Sequence, residues 1–307
     1  MRKPDDYTLT PLEYARVRAE AERALKKADA LGRLPTPVED IMLAAGVEEP
    51  PEDLLNEDFI ARMRQKAGDA LKRAVRKVMG LFDARARLVF VDRSLYSLKQ
   101  KFVRLHETAH GFIPWQRGLY AVVEECDQSL DPDVADQFDR EANVFASEVL
   151  FQLNAFSEEA EGSEFGIRVP MNLSGKYGAS IYASIRQYVS KNWRTCVVLV
   201  LEPPEFIAGD GFRAAFRRCV PSSRFLELFS HLQWKDYYTP DDEIGALIPL
   251  GKQRMTGKRS LVLSDCNGCR HECVAEAFTN THQVFILIHA TKTLTATTII
   301  LPSHVVR

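Results

Sequence analysis

Apolar spacing changes character once along this 307-residue chain, near residue 195, and that change constrains the fold more than any single motif. Upstream, apolar residues recur every three to four positions, the pattern of helices with one buried face. Residues 8–31 read as a helix, with Thr10 as N-cap and Pro11 in its first turn. A short helix begins in PTPVED at 35–40 and stops near Gly46. Residues 57–79 read as a long amphipathic helix, with Ile60, Met63, Ala67, Leu71, Ala74 and Val78 on one face. After Gly80, ARLVFVD at 86–92 has the β-branched and aromatic content of a strand. Helical spacing returns at 97–112, at about 134–153, and in two short pieces within 166–191 divided near Gly178. Downstream of 195 the runs are strand-like: CVVLVLE, ALIPL, RSLVLSD, QVFILIHA and TLTATTIILP, interrupted by a helix expected at about 211–232. The expected fold class is therefore α+β. A mostly helical domain with a small sheet spans 1–155, a helical segment able to form a helix-turn-helix spans 156–195, and an α+β domain spans 196–307.

The net charge is −2, from 40 basic and 42 acidic residues, which excludes a uniformly basic nucleic-acid binder. The total conceals a polarity. Residues 61–104 carry 13 basic and 3 acidic side chains, whereas 119–164 carry 1 basic and 13 acidic. The basic block can contact nucleic-acid phosphates, and single-stranded DNA is carried as a candidate activator that the charges alone do not specify. A solvated helix face paired with the acidic segment accounts for the same charges without a ligand. No apolar run approaches the roughly 18 residues of a membrane span. The opening MRKPDDYTLT lacks the apolar stretch of a secretory signal, so a cytoplasmic address is expected, with no membrane partner.

Chemistry concentrates at 106–110, His106-Glu107-Thr108-Ala109-His110. On a helix, positions i and i+4 share a face, so both imidazoles can reach one ion while the glutamate stands beside it as proton acceptor. In a chain with seven histidines this H-E-x-x-H string arises by chance about once in a hundred sequences. Two unrelated surface histidines are the plain alternative. Phe102, Val103, Leu105, Ala109, Phe112 and Ile113 argue against it, because they make the helix a core-packed one. A catalytic zinc takes three protein ligands and keeps an open position. The following helix offers Asp139, Glu141 and Glu148, and spacing alone does not choose among them.

The string F-V-R-L-H-E-T-A-H-G-F at 102–112 resembles the metal helix of the ImmA/IrrE-type metallopeptidases. MGLFDARARLVFVD at 79–92, R-E-A-N-V-F-A-S-E-V-L at 140–150, GRLPTPVEDIMLAAGV at 32–47 and GKYGASIYASIRQYV at 175–189 fit the same pattern, over roughly residues 10–190. The resemblance implies a zincin-like peptidase domain that binds Zn²⁺ through His106, His110 and Glu141, with Glu107 as general base. It also implies cleavage of a helix-turn-helix transcriptional repressor after DNA damage or infection, and a GAF-like sensor domain at the C-terminus. The chain departs from the family in a longer acidic connection between the two motif helices, and in Val149-Leu150-Phe151-Gln152 where Met-Pro is usual. The competing reading is a nucleic-acid-binding or ligand-sensing regulator that carries a vestigial peptidase site.

The six cysteines are too sparse for a disulfide framework. Cys126 lies 16 residues after His110 and is a candidate inhibitory fourth zinc ligand, with a packed structural thiol as the plainer reading. The C-N-G-C-R-H-E-C run offers Cys266, Cys269 and Cys273 with His271 for a second metal site, Cys219 being a distant supplement. Three reduced thiols in a turn between strands fit it equally.

Overall fold

A computed structural model describes residues 7–50, 80–125, 130–207, 211–251 and 254–293. The expected helix at 57–79, residues 61–79 of the basic block, Cys126 and the last strand-like run beyond Thr293 lie outside them. The chain divides into two compact units, Met1–Gly162 with Pro170–Ser184, and Ser163–Val169 with Ile185–Arg307. Residues 156–195 are thus shared between the two. The fold class is α+β.

In the first unit, helix α1 (Pro11–Lys27) is started by a capping box. Thr10 accepts from the Glu13 amide and Glu13 accepts from the Thr10 amide, with proline in the first turn. Helix α2 (Val38–Ala45) is closed by Gly46 at φ 68°, a left-handed position that suits glycine. A two-stranded antiparallel sheet follows, β1 (Gly80–Asp83) and β2 (Leu88–Val91), in register Gly80↔Val91 to Asp83↔Leu88. Helix α3 (Ser97–Phe112) carries the H-E-x-x-H string, α4 (Pro114–Glu125) follows at once, and α5 (Pro132–Leu150) completes the centre. Helix α5 packs on both α1 and α3, and β1 and β2 lie against α3. Val103, Leu105 and Ala109 of α3 and Ala142, Phe145 and Val149 of α5 are buried, with Phe112 and Phe145 at 5.8 Å between ring centres. Burial of each large side chain contributes about 1.5–3 kcal/mol, enough to fix the rotation of the two helices about their axes. Short helices α6 (Ala155–Glu161) and α7 (Arg168–Ser174) precede α8 (Ile181–Ser190), and Gly178, at φ 63°, separates the last two.

The second unit is built on a curled, seven-stranded antiparallel sheet. Its strands are β3 (Cys196–Leu201), β4 (Glu205–Ile207), β5 (Gly211–Pro221), β6 (Tyr237–Tyr238), β7 (Met255–Ser264), β8 (Arg270–Thr279) and β9 (Val284–Thr293). The order is β4-β5-β3-β9-β8-β7, with β6 paired to β5. Strand β3 is central and every residue in it is buried, which explains its uninterrupted apolar run. One face of the sheet packs Val197, Leu199, Phe212, Ala214, Leu261 and Ile286 against Phe225 and Phe229 of the short helix α9 (Ser223–Phe229).

Two expectations for this unit are corrected. The helix expected at about 211–232 is a strand followed by two turns of helix. Phe212 and Ala214 point inward while Gly211 and Arg213 are exposed, a period of two that pairs with β3. ALIPL is not a strand either: Gly245–Leu247 forms a 3₁₀ turn that buries Leu247.

Candidate metal centre

The last two turns of α3 place His106 and His110 on one face, their rings 5.1 Å apart and edge-on. Each ring is held through Nδ1 by a side-chain amide oxygen: His106 by Asn143 at 3.1 Å, and His110 by Gln116 at 2.8 Å. An acceptor at Nδ1 puts the ring proton there and leaves the lone pair on Nε2. Both Nε2 atoms face the Oδ1 atom of Asp139, each at 3.9 Å. That separation is too long for a hydrogen bond. It is close to the roughly 3.4 Å between ligand atoms around a tetrahedral ion with bonds near 2.0–2.1 Å. His106, His110 and Asp139 form the one group of three potential metal ligands among the described residues, their donor atoms within 4.8 Å of one another.

Burial keeps both imidazoles in the neutral form that binds metal. The His106 pKa is lowered to about 4, chiefly by desolvation, and that of His110 is lowered first by desolvation and then by His106. Glu107 lies beside them, buried, its carboxyl pushed up to about 8 by desolvation and then by the charge of Asp139. Tyr120 of α4 packs its ring edge-on to His110 at 5.5 Å. Burial first, then the charges of Asp139 and Glu107, hold its hydroxyl protonated. The Asp139 side chain is 63% exposed, so the cluster opens to solvent on that side.

The third member of the group is Asp139, where the family resemblance implies Glu141. Two positions apart on a helix means about 200° of rotation, so the two side chains leave α5 on nearly opposite sides. Asp139 and Asn143, four apart, share a face and meet His106 together. Glu141 is buried and accepts from Trp115 Nε1 and Gln116 Nε2, both at 2.7 Å. Glu148, the third candidate, faces α1, bonded to Tyr14 at 2.6 Å and Arg18 at 2.7 Å. Gln116, Asn143, Trp115 and Tyr120 carry no sequence signal of their own, except that Asn143 falls within the E-A-N string.

Cys266, Cys269 and Cys273 do not form a group of potential metal ligands among the described residues. Cys266 is exposed in the turn, while Cys273 is buried in β8 with Sγ toward the His271 carbonyl at 3.7 Å. His271 is taken up by Asp265 at 2.9 Å, which also accepts the Asn267 and Cys269 amides. Cys219 packs against the sheet core instead.

No protein-family model and no curated protein matches the chain. Among solved structures it is similar to a Mycobacterium tuberculosis transcriptional regulator, at 14% identity and a TM-score of 0.46, over 92% of this chain and 81% of the other. A likeness at that level carries neither family nor activity across, and the functional reading rests on the side chains. Among the described residues no helix is long and apolar enough to cross a membrane.

Proposed function

We propose that this chain is a zinc-dependent endopeptidase whose metal is held by His106, His110 and Asp139, with Glu107 as general base. One observation carries the reading: two neutral imidazoles with free Nε2 atoms converge on one carboxylate oxygen, with a buried glutamate beside them. Two nitrogens and a carboxylate oxygen suit zinc with an open position, and also suit non-haem iron. Glu107, the proton acceptor that hydrolysis needs, favours the zinc reading.

When bound, zinc supplies a Lewis acid that acidifies water and polarises a peptide carbonyl. Asn143 and Gln116 hold the two rings so that Nε2 faces the cluster. Glu107 takes a proton from the attacking water and returns it to the leaving amine. Tyr120, kept protonated beside Asp139 and Glu107, is the donor best placed to stabilise the developing oxyanion.

The substrate class, a helix-turn-helix transcriptional repressor cleaved after DNA damage or infection, rests on the resemblance to the ImmA/IrrE-type peptidases. The test is incubation of the zinc-loaded chain with the repressor encoded beside its gene, with and without single-stranded DNA. Cleavage by the wild type and none by Glu107→Gln, with zinc still bound, is the expected result. Relief of repression that survives Glu107→Gln would leave the non-proteolytic regulator as the better reading.

A further inference from the structure

Glu141 is buried, and its partners give it a direction. Trp115 Nε1 and Gln116 Nε2 both donate to Glu141 Oε2 at 2.7 Å, and Gln137 Nε2 donates to Oε1 at 3.3 Å. An indole N–H only donates, so that carboxylate oxygen is fixed as an acceptor. Gln116 is fully buried, and its amide must turn nitrogen toward the carboxylate, because the flipped orientation sets oxygen against oxygen. The same nitrogen also donates to the Phe138 carbonyl at 3.3 Å. The amide oxygen is then left facing His110 Nδ1 at 2.8 Å. An acceptor at that point requires Nδ1–H, and a neutral imidazole protonated there carries its lone pair on Nε2.

We propose that Glu141 and Gln116 are positioning residues that set the tautomer of His110. The carboxylate orients the amide, and the amide places the ring proton on Nδ1, so that Nε2 is free for a metal ion. The consequence for metal binding rests on the zinc reading above, whereas the relay itself does not. The bond from Gln116 to the Phe138 carbonyl, next to Asp139, also ties α5 to the His110 ring. One buried amide thus meets the His110 ring, the Glu141 carboxylate and the α5 backbone together. This differs from the ligand role that the family resemblance assigns to Glu141.

The test uses the full chain with labelled histidines, metal-free and zinc-loaded. Long-range proton–nitrogen spectra of the metal-free protein should show His110 as the Nδ1–H tautomer. Glu141→Gln should mix the tautomers of His110 while His106, held by Asn143, keeps its own, and should weaken zinc binding by about 10- to 100-fold without loss of stoichiometry. Gln116→Met, which removes the acceptor outright, should mix the tautomers in the same way and serves if the first variant does not fold. The exchange Gln116→Glu with Glu141→Gln keeps an acceptor toward Nδ1 and an amide donor behind it, and should restore both tautomer and affinity. An unchanged His110 tautomer in folded Glu141→Gln or Gln116→Met overturns the proposal. So does loss of zinc in Glu141→Gln with full zinc in Asp139→Asn, which would make Glu141 a ligand. A tautomer that responds as stated in a protein that takes up no zinc leaves the relay standing and removes the peptidase reading.

Discussion

Gly80 lies directly against Glu107. A Cβ added at Gly80 would stand 2.7 Å from Glu107 Oε1 and 2.5 Å from Val103 Cγ1. Strand β1 therefore runs against the Glu107 carboxyl and Val103 with no room for a Cβ, which gives the Gly80 at the head of the strand a role in placing that carboxyl.

Gly80→Ala should displace the Glu107 side chain and overpack its junction with Val103, at a stability cost of about 1–3 kcal/mol. Peptide cleavage should fall by more than about tenfold, the order of a misplaced general base. Zinc affinity should stay at the wild-type level, because none of the three proposed ligands is touched. Turnover assays and zinc titrations on the same preparation check this. Wild-type turnover in Gly80→Ala would remove Gly80 from any role in placing the base.

Asp139→Ala tests the third ligand. The side chain is 63% exposed, so the metal-free variant should match wild-type stability to within about 0.5 kcal/mol. Zinc at a hundredfold excess over its Kd should stabilise the wild-type chain by about 2.7 kcal/mol, an effect reversed by a chelator. Thermal melts with and without zinc should show that rise in the wild type and little of it in Asp139→Ala. An equal rise in both proteins would place the third donor elsewhere.

Tyr120→Phe keeps the ring that packs on His110 and deletes the hydroxyl. The proposed oxyanion role predicts a fall in kcat of about a hundredfold with KM and zinc content nearly unchanged. A loss confined to KM would mean that Tyr120 binds the substrate without stabilising the transition state.

Glu148 gives the helical unit a pH dependence of its own. Desolvation raises its carboxyl from 4.5 to about 7, against the opposing pull of Arg18. Between those values the folded chain holds a proton that the unfolded chain releases. The stability linked to that proton is fully present below pH 4.5 and is lost as pH rises through 7, a change of about 3 kcal/mol. Glu148→Gln, neutral at every pH, should gain on the wild type between pH 5 and pH 8 in urea midpoints. A constant difference between the two proteins would show that Glu148 does not titrate in that window.

Much of the site was legible in the chain. The i, i+4 spacing of His106 and His110 fixes a shared helix face because the helix has 3.6 residues per turn, whatever packs around it. The apolar positions of 97–112 and 134–153 likewise announce two buried helices. The run at 211–221 is ambiguous in sequence because Phe212, Ala214, Ala215 and Phe216 satisfy a helical and a strand pattern alike over so short a stretch. Pairing with β3 decides it. The cysteine run is open in sequence to a ligand set or to separate thiols, because spacing does not show that Cys266 stands exposed in the turn while β8 buries Cys273.

By itself, then, the sequence determined the α+β class, the capped first helix, and a helix able to offer two imidazoles and a glutamate to one point. Those features depend on local period and local hydrogen bonds. Only the tertiary structure decided that Asp139 completes the cluster while Glu141 stands behind Gln116. Both carboxylates belong to one helix turn, and which of them meets His110 depends on how α5 is rotated about its axis. That rotation is set by Ala142, Phe145 and Val149 packing against helices distant in the chain, a constraint that no local pattern carries.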